Sequence, residues 1–238
     1  MFGKNGAPAT PSGSLASNGV RLGARGLDGT RAPLLELETR EEGLLQLQPG
    51  RITELIGDPG TGLTRLGLSL LSPHSRLAPV VVLDVRGWIS PEAAWEAGVE
   101  TPNLIVVRCD ESHLWPKVAA ALLEGVGALY AEVPPGVRDH DLRRLGALAR
   151  ARRAAVAMRP LERRLPIGVA HLRLRGIGVT WEGADRGHGR LTRRRLMIEA
   201  TGRGVAGVVR RFEVDDEGTD TVRLVSDVVV DQAGRSAG

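Results

Sequence analysis

Five short, largely apolar runs, ITELI (52–56), PVVVLD (79–84), LIVVR (104–108), GALYAEV (127–133) and AAVAM (154–158), alternate with amphipathic stretches along the middle of the chain. Strands whose side chains are apolar in succession, rather than at every second position, are buried on both faces. That is the condition of a parallel sheet covered by helices. The alternation gives a βαβα rhythm, with helices predicted after residue 62 to about Leu71, around Pro91 to Ala97, near Leu114 to Val126 and over DHDLRRLGALARAR (139–152). Beyond Pro166 the texture changes. The segments VAHLRLRGIGVTWEG, RRRLMIEAT, GVVRRFEV and DTVRLV alternate apolar with polar residues between glycine-rich turns, the pattern of antiparallel strands with one wet face. The expected fold is α/β, with a central, mostly parallel sheet flanked by helices and extended by an antiparallel C-terminal flank.

A chain of 238 residues with 42% hydrophobic side chains can bury a sizeable core. Residues 1–30 are rich in Gly, Ser, Ala and Pro, cannot repay their ordering entropy and are expected to be a disordered arm. Residues 31–214 are expected to form the core domain, and 215–238 an acidic C-terminal tail. The arm lacks a continuous apolar segment and no run reaches membrane-spanning length, so a soluble, cytoplasmic protein is expected. The single cysteine, Cys109, excludes an internal disulfide and a cysteine-based metal cluster. The five histidines are scattered without the i, i+4 spacing that puts two ligands on one helical face, so no metal site is expected.

The net charge of +4 is unevenly spread: Arg138 to Arg211 holds 19 arginines against 6 acids, and the segment after Phe212 holds 7 acids and 2 arginines. Guanidinium groups suit phosphate, and their clustering concentrates the field, which makes weak DNA contact one expectation. The candidates are Arg143, Arg144, Arg152 and Arg153 on the predicted helix and Arg193, Arg194 and Arg195 on the flank. The alternative is a solvated surface in a chain that writes its positive charge as arginine, for it has only two lysines, Lys4 and Lys117.

The stretch GDPGTGLT (57–64) stands between the strand ITELI and the helical pattern LGLSLL with the spacing of a phosphate-binding loop, G-x-x-x-x-G-K-[ST], except that Leu63 holds the lysine position. Gly57, Gly60 and Gly62 leave backbone amides near a helix N-terminus, and with Thr64 they form a candidate vestigial anion or nucleotide site. The competing view is that the glycines serve only the tight strand-to-helix turn, and Asp58 beside them repels phosphate.

The order of strand, phosphate-loop-like turn, helix, strand ending in Asp84, further strand, and strand ending in Glu132 resembles the RecA-type ATPase core over roughly residues 45 to 214. GRITELIGDPGTG stands at the Walker A strand and loop. VVVLDVRGWISPEAAWEAGVETPNLIVVRCD resembles the segment that follows, and GALYAEVP the Walker B strand with Glu132 at the aspartate position. The departures from that pattern fall on catalytic parts. Leu63 supplies no charge to the phosphates, and Arg65, about 200° further round a helix, points elsewhere. Arg86 stands where the family places its water-activating glutamate, and Met158, Arg159 and Pro160 hold no nucleotide-sensing glutamine.

Within this superfamily the chain resembles the ImuA branch and its divergent form, ImuA-prime. That resemblance implies a non-catalytic accessory protein, without a cofactor, in a bacterial damage-induced mutasome. Its implied partners are an ImuB-like homologue of Y-family polymerases and a DnaE-type error-prone polymerase, and its implied place is the cytoplasm, on the nucleoid when engaged. A SulA-like inhibitor of cell division and a degenerate RecA-type DNA-binding ATPase are the alternatives.

Overall fold

The computed structural model describes residues 43–185, 188–216 and 223–229. The predicted N-terminal arm and parts of the acidic tail lie outside the described residues. Five strands form where the apolar runs predict them: β1 (Ile52–Ile56), β2 (Val80–Asp84), β3 (Leu104–Arg108), β4 (Ala128–Val133) and β5 (Ala155–Pro160). The helices between them are α1 (Leu63–Ser75), α2 (Pro91–Glu96), α3 (Trp115–Gly125) and α4 (Asp139–Arg152). Four more strands follow: β6 (Leu172–Asp185), β7 (His188–Gly202), β8 (Arg210–Asp216) and β9 (Arg223–Val229).

All nine strands join one sheet in the order β3-β2-β4-β5-β1-β6-β7-β8-β9. Every pairing from β3 to β6 is parallel, and those from β6 to β9 are antiparallel. The switch at β6 is where the sequence changes from continuous to alternating hydrophobicity. The acidic, valine-rich segment near the C-terminus thereby contributes β9, paired along β8.

Each face of the sheet carries its own core. One gathers Leu55, Val80, Val82, Tyr130 and Ala157 with Leu63, Leu66 and Leu70 of α1 and Leu196, Ile198 and Phe212 of the flank. The other gathers Val81, Leu83, Leu129, Val156 and Met158 with Trp115 and Leu123 of α3 and Leu142 and Leu145 of α4. Neighbouring residues along β2 and β4 go to opposite cores, which is why these strands read as continuous apolar runs.

Local chemistry sets the element ends. Ser90 accepts a hydrogen bond from the Ala93 amide at 3.1 Å and Pro91 occupies the first helical position, so α2 starts where a capping residue and a pre-set φ coincide. At the other extreme, α4 ends on Arg153 at φ 55°, a left-handed conformation that glycine adopts without strain. Arg153→Gly is therefore expected to stabilise the fold by about 1 kcal/mol, read as a higher urea midpoint with unchanged slope. An unchanged or lower midpoint contradicts this account of the helix end.

Candidate functional site: the vestigial phosphate loop

The loop 57–62 leaves the C-terminal end of β1 and turns into α1, with Gly60 at φ 85° and Gly62 at φ 76°. Thr61 closes it by donating its hydroxyl to the Asp58 carbonyl at 2.6 Å. Leu63, at the lysine position, turns inward. It is buried in the α1-side core, and a Cβ placed on Gly57 would meet its Cδ1 at 2.8 Å. The space beneath the loop is thus filled with hydrocarbon. Arg65 points away, as its place on the helix predicts, and donates to the Glu96 carbonyl at 2.8 Å and its carboxylate at 3.3 Å.

Thr64 and Glu132 mark the two positions at which a P-loop enzyme holds its magnesium ion, a hydroxyl at the start of the helix and an acid at the end of a neighbouring strand. Here each is engaged by a cation of the chain itself. Arg159, at the end of β5 and buried, donates its Nη1 to the Thr64 hydroxyl. Arg86, just beyond β2, donates Nε at 3.0 Å and also Nη2 to Glu132 Oε1. Glu132 Oε2 accepts from the amides of Val85 and Arg86, both at 3.2 Å. Glu132 is fully buried, so its charge is tolerated only because it is paired and hydrogen-bonded.

Asp84 is equally committed, with Oδ1 accepting from the Gly87 amide at 2.9 Å and Oδ2 from Ile89 at 3.1 Å. All four carboxylate oxygens of Asp84 and Glu132 thus accept hydrogen bonds from the chain itself. Burial works against the Arg86 charge, but the bond and charge of Glu132 outweigh it and hold that guanidinium above the ordinary arginine value. Tyr130, on the same side of β4, is pushed up to about 12, first by burial and then by the Glu132 carboxylate. Thr64 and Arg159, which lie beside its buried hydroxyl, act against that rise. Arg86 also lies over the exposed Trp88 ring, 4.3 Å from its centroid. The donor set does not fit a magnesium–nucleotide complex: a divalent ion would have to displace one guanidinium from Thr64 and another from Glu132.

The candidate residues are thus partly brought together. Gly57, Gly60, Gly62 and Thr64 do form one loop. Arg194 lies against that loop, since a Cβ on Gly62 would stand 2.9 Å from its Cζ, and it stacks over Trp181 at 5.5 Å from the ring centroid. Arg193 donates to Asp215, and Arg195 reaches Asp215 at 3.1 Å and Glu213 at 3.6 Å, so these two flank arginines are matched by acids on the adjacent strand β8. On α4, Arg143 is 3.8 Å from Asp139 and Arg152 pairs with Glu124. Arg144 makes no hydrogen bond or ion pair among the described residues, and Arg153 is the helix-ending residue. Four of the seven arginines, Arg143, Arg152, Arg193 and Arg195, are thus paired with acids of the chain itself.

Two residues escaped the sequence argument in their real role. Arg159 appeared only as the absence of a sensing glutamine, and Arg86 only as the absence of a base. The available signal was that both follow apolar strand runs directly, where an arginine must find a partner. Among the described residues no cluster of His, Cys, Asp and Glu able to hold a metal ion occurs, and no helix is long and apolar enough to cross a membrane.

With this geometry in hand, the comparisons with known proteins are consistent. A family model described as the MT3502 N-terminal domain matches residues 46–162, the stretch that carries the phosphate loop and strands β1 to β5. A solved structure described as the crystal structure of the RadB recombinase superposes with a TM-score of 0.51 at 15% identity, over 76% of this chain and 93% of that chain. No curated protein matches in sequence. The fold is RecA-like. At that identity the likeness extends to the fold and to nothing finer.

Proposed function

We propose that this chain is a nucleotide-independent RecA-like scaffold, an accessory protein of a bacterial translesion-synthesis mutasome in the manner of ImuA-prime. It has no ATPase activity and acts in the cytoplasm, on the nucleoid when engaged, through an ImuB-like polymerase homologue and a DnaE-type error-prone polymerase. The observation that carries the first part is the pair of internal cations, Arg86 on Glu132 and Arg159 on Thr64, standing where phosphoryl transfer needs a metal ion. Buried Leu63 at the lysine position adds to it. The mutasome assignment is supported by the resemblance of residues 45 to 214 to the ImuA branch, and a scaffold without chemistry of its own needs partners. The recombinase activity in the name of the RadB structure is not carried over, because the acids and the loop that would serve it are engaged elsewhere.

Phosphate release from ATP, with or without single-stranded DNA, is expected to equal that of a Gly62→Asp control. Leu63→Lys is not expected to restore turnover, because the lost groups act together and the two guanidinium groups remain in place. Release clearly above the control sinks the nucleotide-independent reading. The partner assignment is tested by co-expression: the chain is expected to elute with the ImuB-like and DnaE-type proteins on size exclusion, and separate elution of all three removes it.

A further inference from the structure

The segment that leads into β1, the first residues of β1 and β6 and the turn after β7 enclose a cavity of about 270 Å³. It lies at the N-terminal end of β1, whereas the phosphate loop leaves the C-terminal end. Its polar side chains are Gln46, Gln48, Arg51, Thr53 and His171, and Leu44 and Leu172 supply an apolar wall. No carboxylate of the described residues lines it. None of the five polar side chains has a hydrogen bond or ion pair among the described residues.

A single exposed arginine is not a site, but Arg51 stands here beside two less exposed polar groups that are also unsatisfied. Thr53 is buried on β1, where a hydroxyl ordinarily finds a partner. His171 Nδ1 is buried and without a partner, which leaves Nε2 as the ring nitrogen available to a ligand. The local field is positive: burial first, and then the charges of Arg51 and Arg203, hold His171 below the ordinary histidine value. Gly204 closes the wall, since a Cβ there would stand 3.2 Å from Leu172 Cδ1 and 3.4 Å from His171 Cδ2.

We propose that this cavity binds phosphate, as the free ion or as the phosphate group of a small molecule. Arg51, Gln46 and Gln48 donate from the exposed side, and the Thr53 hydroxyl and His171 Nε2–H from within. Five donor side chains suit the three or four oxygens of a phosphate, whereas a carboxylate, with two, leaves some of them unmet. The volume lies just below the usual range of small-molecule pockets, roughly 300–1,000 Å³, which suits a ligand little larger than the phosphate itself. The proposal is independent of the scaffold reading, for the cavity shares no residue with the loop 57–62.

The test is calorimetric titration of the full-length protein with inorganic phosphate at fixed pH, with ionic strength held by sodium chloride. Saturable binding is expected, and the His171 ring-proton resonances are expected to move with the same midpoint. Arg51→Gln and Thr53→Val are each expected to weaken binding by about tenfold or more. Arg164→Gln, which removes an exposed arginine outside the cavity, is expected to leave it unchanged. Glycerol phosphate distinguishes the two sources: tighter binding than inorganic phosphate assigns an organic phosphate, and equal or weaker binding assigns the free ion. No saturable binding by the wild type overturns the proposal, as does acetate that binds as tightly as phosphate. An equal loss in Arg164→Gln would reduce the effect to overall charge and also overturns it. Loss in Gly62→Asp with Arg51→Gln unaffected would place the anion on the phosphate loop instead. Glu41 and Glu42 immediately precede Gly43, the first residue of the cavity wall. Binding that emerges only in Glu41→Gln with Glu42→Gln would mean that the chain's own carboxylates fill the cavity, and the external ligand falls.

Discussion

Glu132→Ala is expected to lower the unfolding free energy by about 3–5 kcal/mol, because it strips the partner from a largely buried guanidinium and leaves the amides of Val85 and Arg86 without their acceptor. For a chain of this size that corresponds to a fall in Tm of roughly 10 °C or more. The magnitude follows from burial: the Glu132 side chain is fully buried and that of Arg86 is 19% exposed, so water cannot replace the lost contacts. Removing both charges together is a different experiment. Arg86→Met with Glu132→Leu is expected to recover most of the loss, since a buried pair contributes little net stability over well-packed hydrocarbon. Denaturant unfolding of Arg86→Met, Glu132→Leu and the double variant measures the coupling. Additive losses with no coupling would mean that the two groups do not act as a pair, and the account of Glu132 as neutralised from within would go with it.

The same pair shows where sequence reasoning reaches and where it stops. The parallel half of the fold was legible because its strands read as apolar runs, a pattern that needs no knowledge of the neighbours; β3 departs from the expected burial on both faces, for it is the edge strand and Ile105 is 48% exposed. The strand spans fall within a residue or two of the apolar runs, and α4 runs over DHDLRRLGALARAR as its periodicity indicates. That Leu63 stands at the lysine position of the phosphate-loop pattern was legible from the residue itself. The engagement of Glu132 by Arg86 and of Thr64 by Arg159 was not, because these contacts join distant residues. Arg86 and Glu132 stand at the ends of β2 and β4, which are neighbours in the sheet though β3 lies between them in sequence. Arg159 meets Thr64 across β5 and β1.

The flank arginines illustrate the same limit from the other side. As a composition they form a cationic field, yet in the register of β7 on β8 Arg195 stands directly opposite Asp215, and Arg193 reaches the same carboxylate. An antiparallel register depends on turn lengths and bulges, such as the shifts between Gly176 and Gly178 and between Glu182 and Ala184 on the neighbouring pair. Those are not encoded in any local charge count. Arg144 kept its availability because the acids on its own helix are taken by others, Asp139 near Arg143 and Arg163 and Asp141 by Arg138.

Gly67→Ala is the second substitution expected to have a large effect, and its sign is opposite to the helix-propensity rule. Alanine in place of glycine inside a helix ordinarily stabilises by roughly 1 kcal/mol. In α1, however, a Cβ on Gly67 would stand 2.2 Å from Cε2 and 2.5 Å from Cδ2 of Tyr130, and 2.9 Å from Cδ1 of Leu55. Both neighbours are fully buried on central strands, so neither ring nor methyl can swing into solvent, and relief must come from moving the helix off the sheet. Overpacking of this kind costs about 1–3 kcal/mol, occasionally more, which exceeds the propensity gain. The expected result is a lower urea midpoint for Gly67→Ala, together with a shift in Tyr130 fluorescence or ring-proton resonances. Tyr130→Leu in the same chain is expected to rescue part of the loss, because it removes the ring carbons that the new methyl meets. Stabilisation by Gly67→Ala alone would show that α1 does not sit this close to β4. The contact between Arg159 and Thr64, which depends on where α1 begins relative to β5, would then lose its basis along with the overpacking.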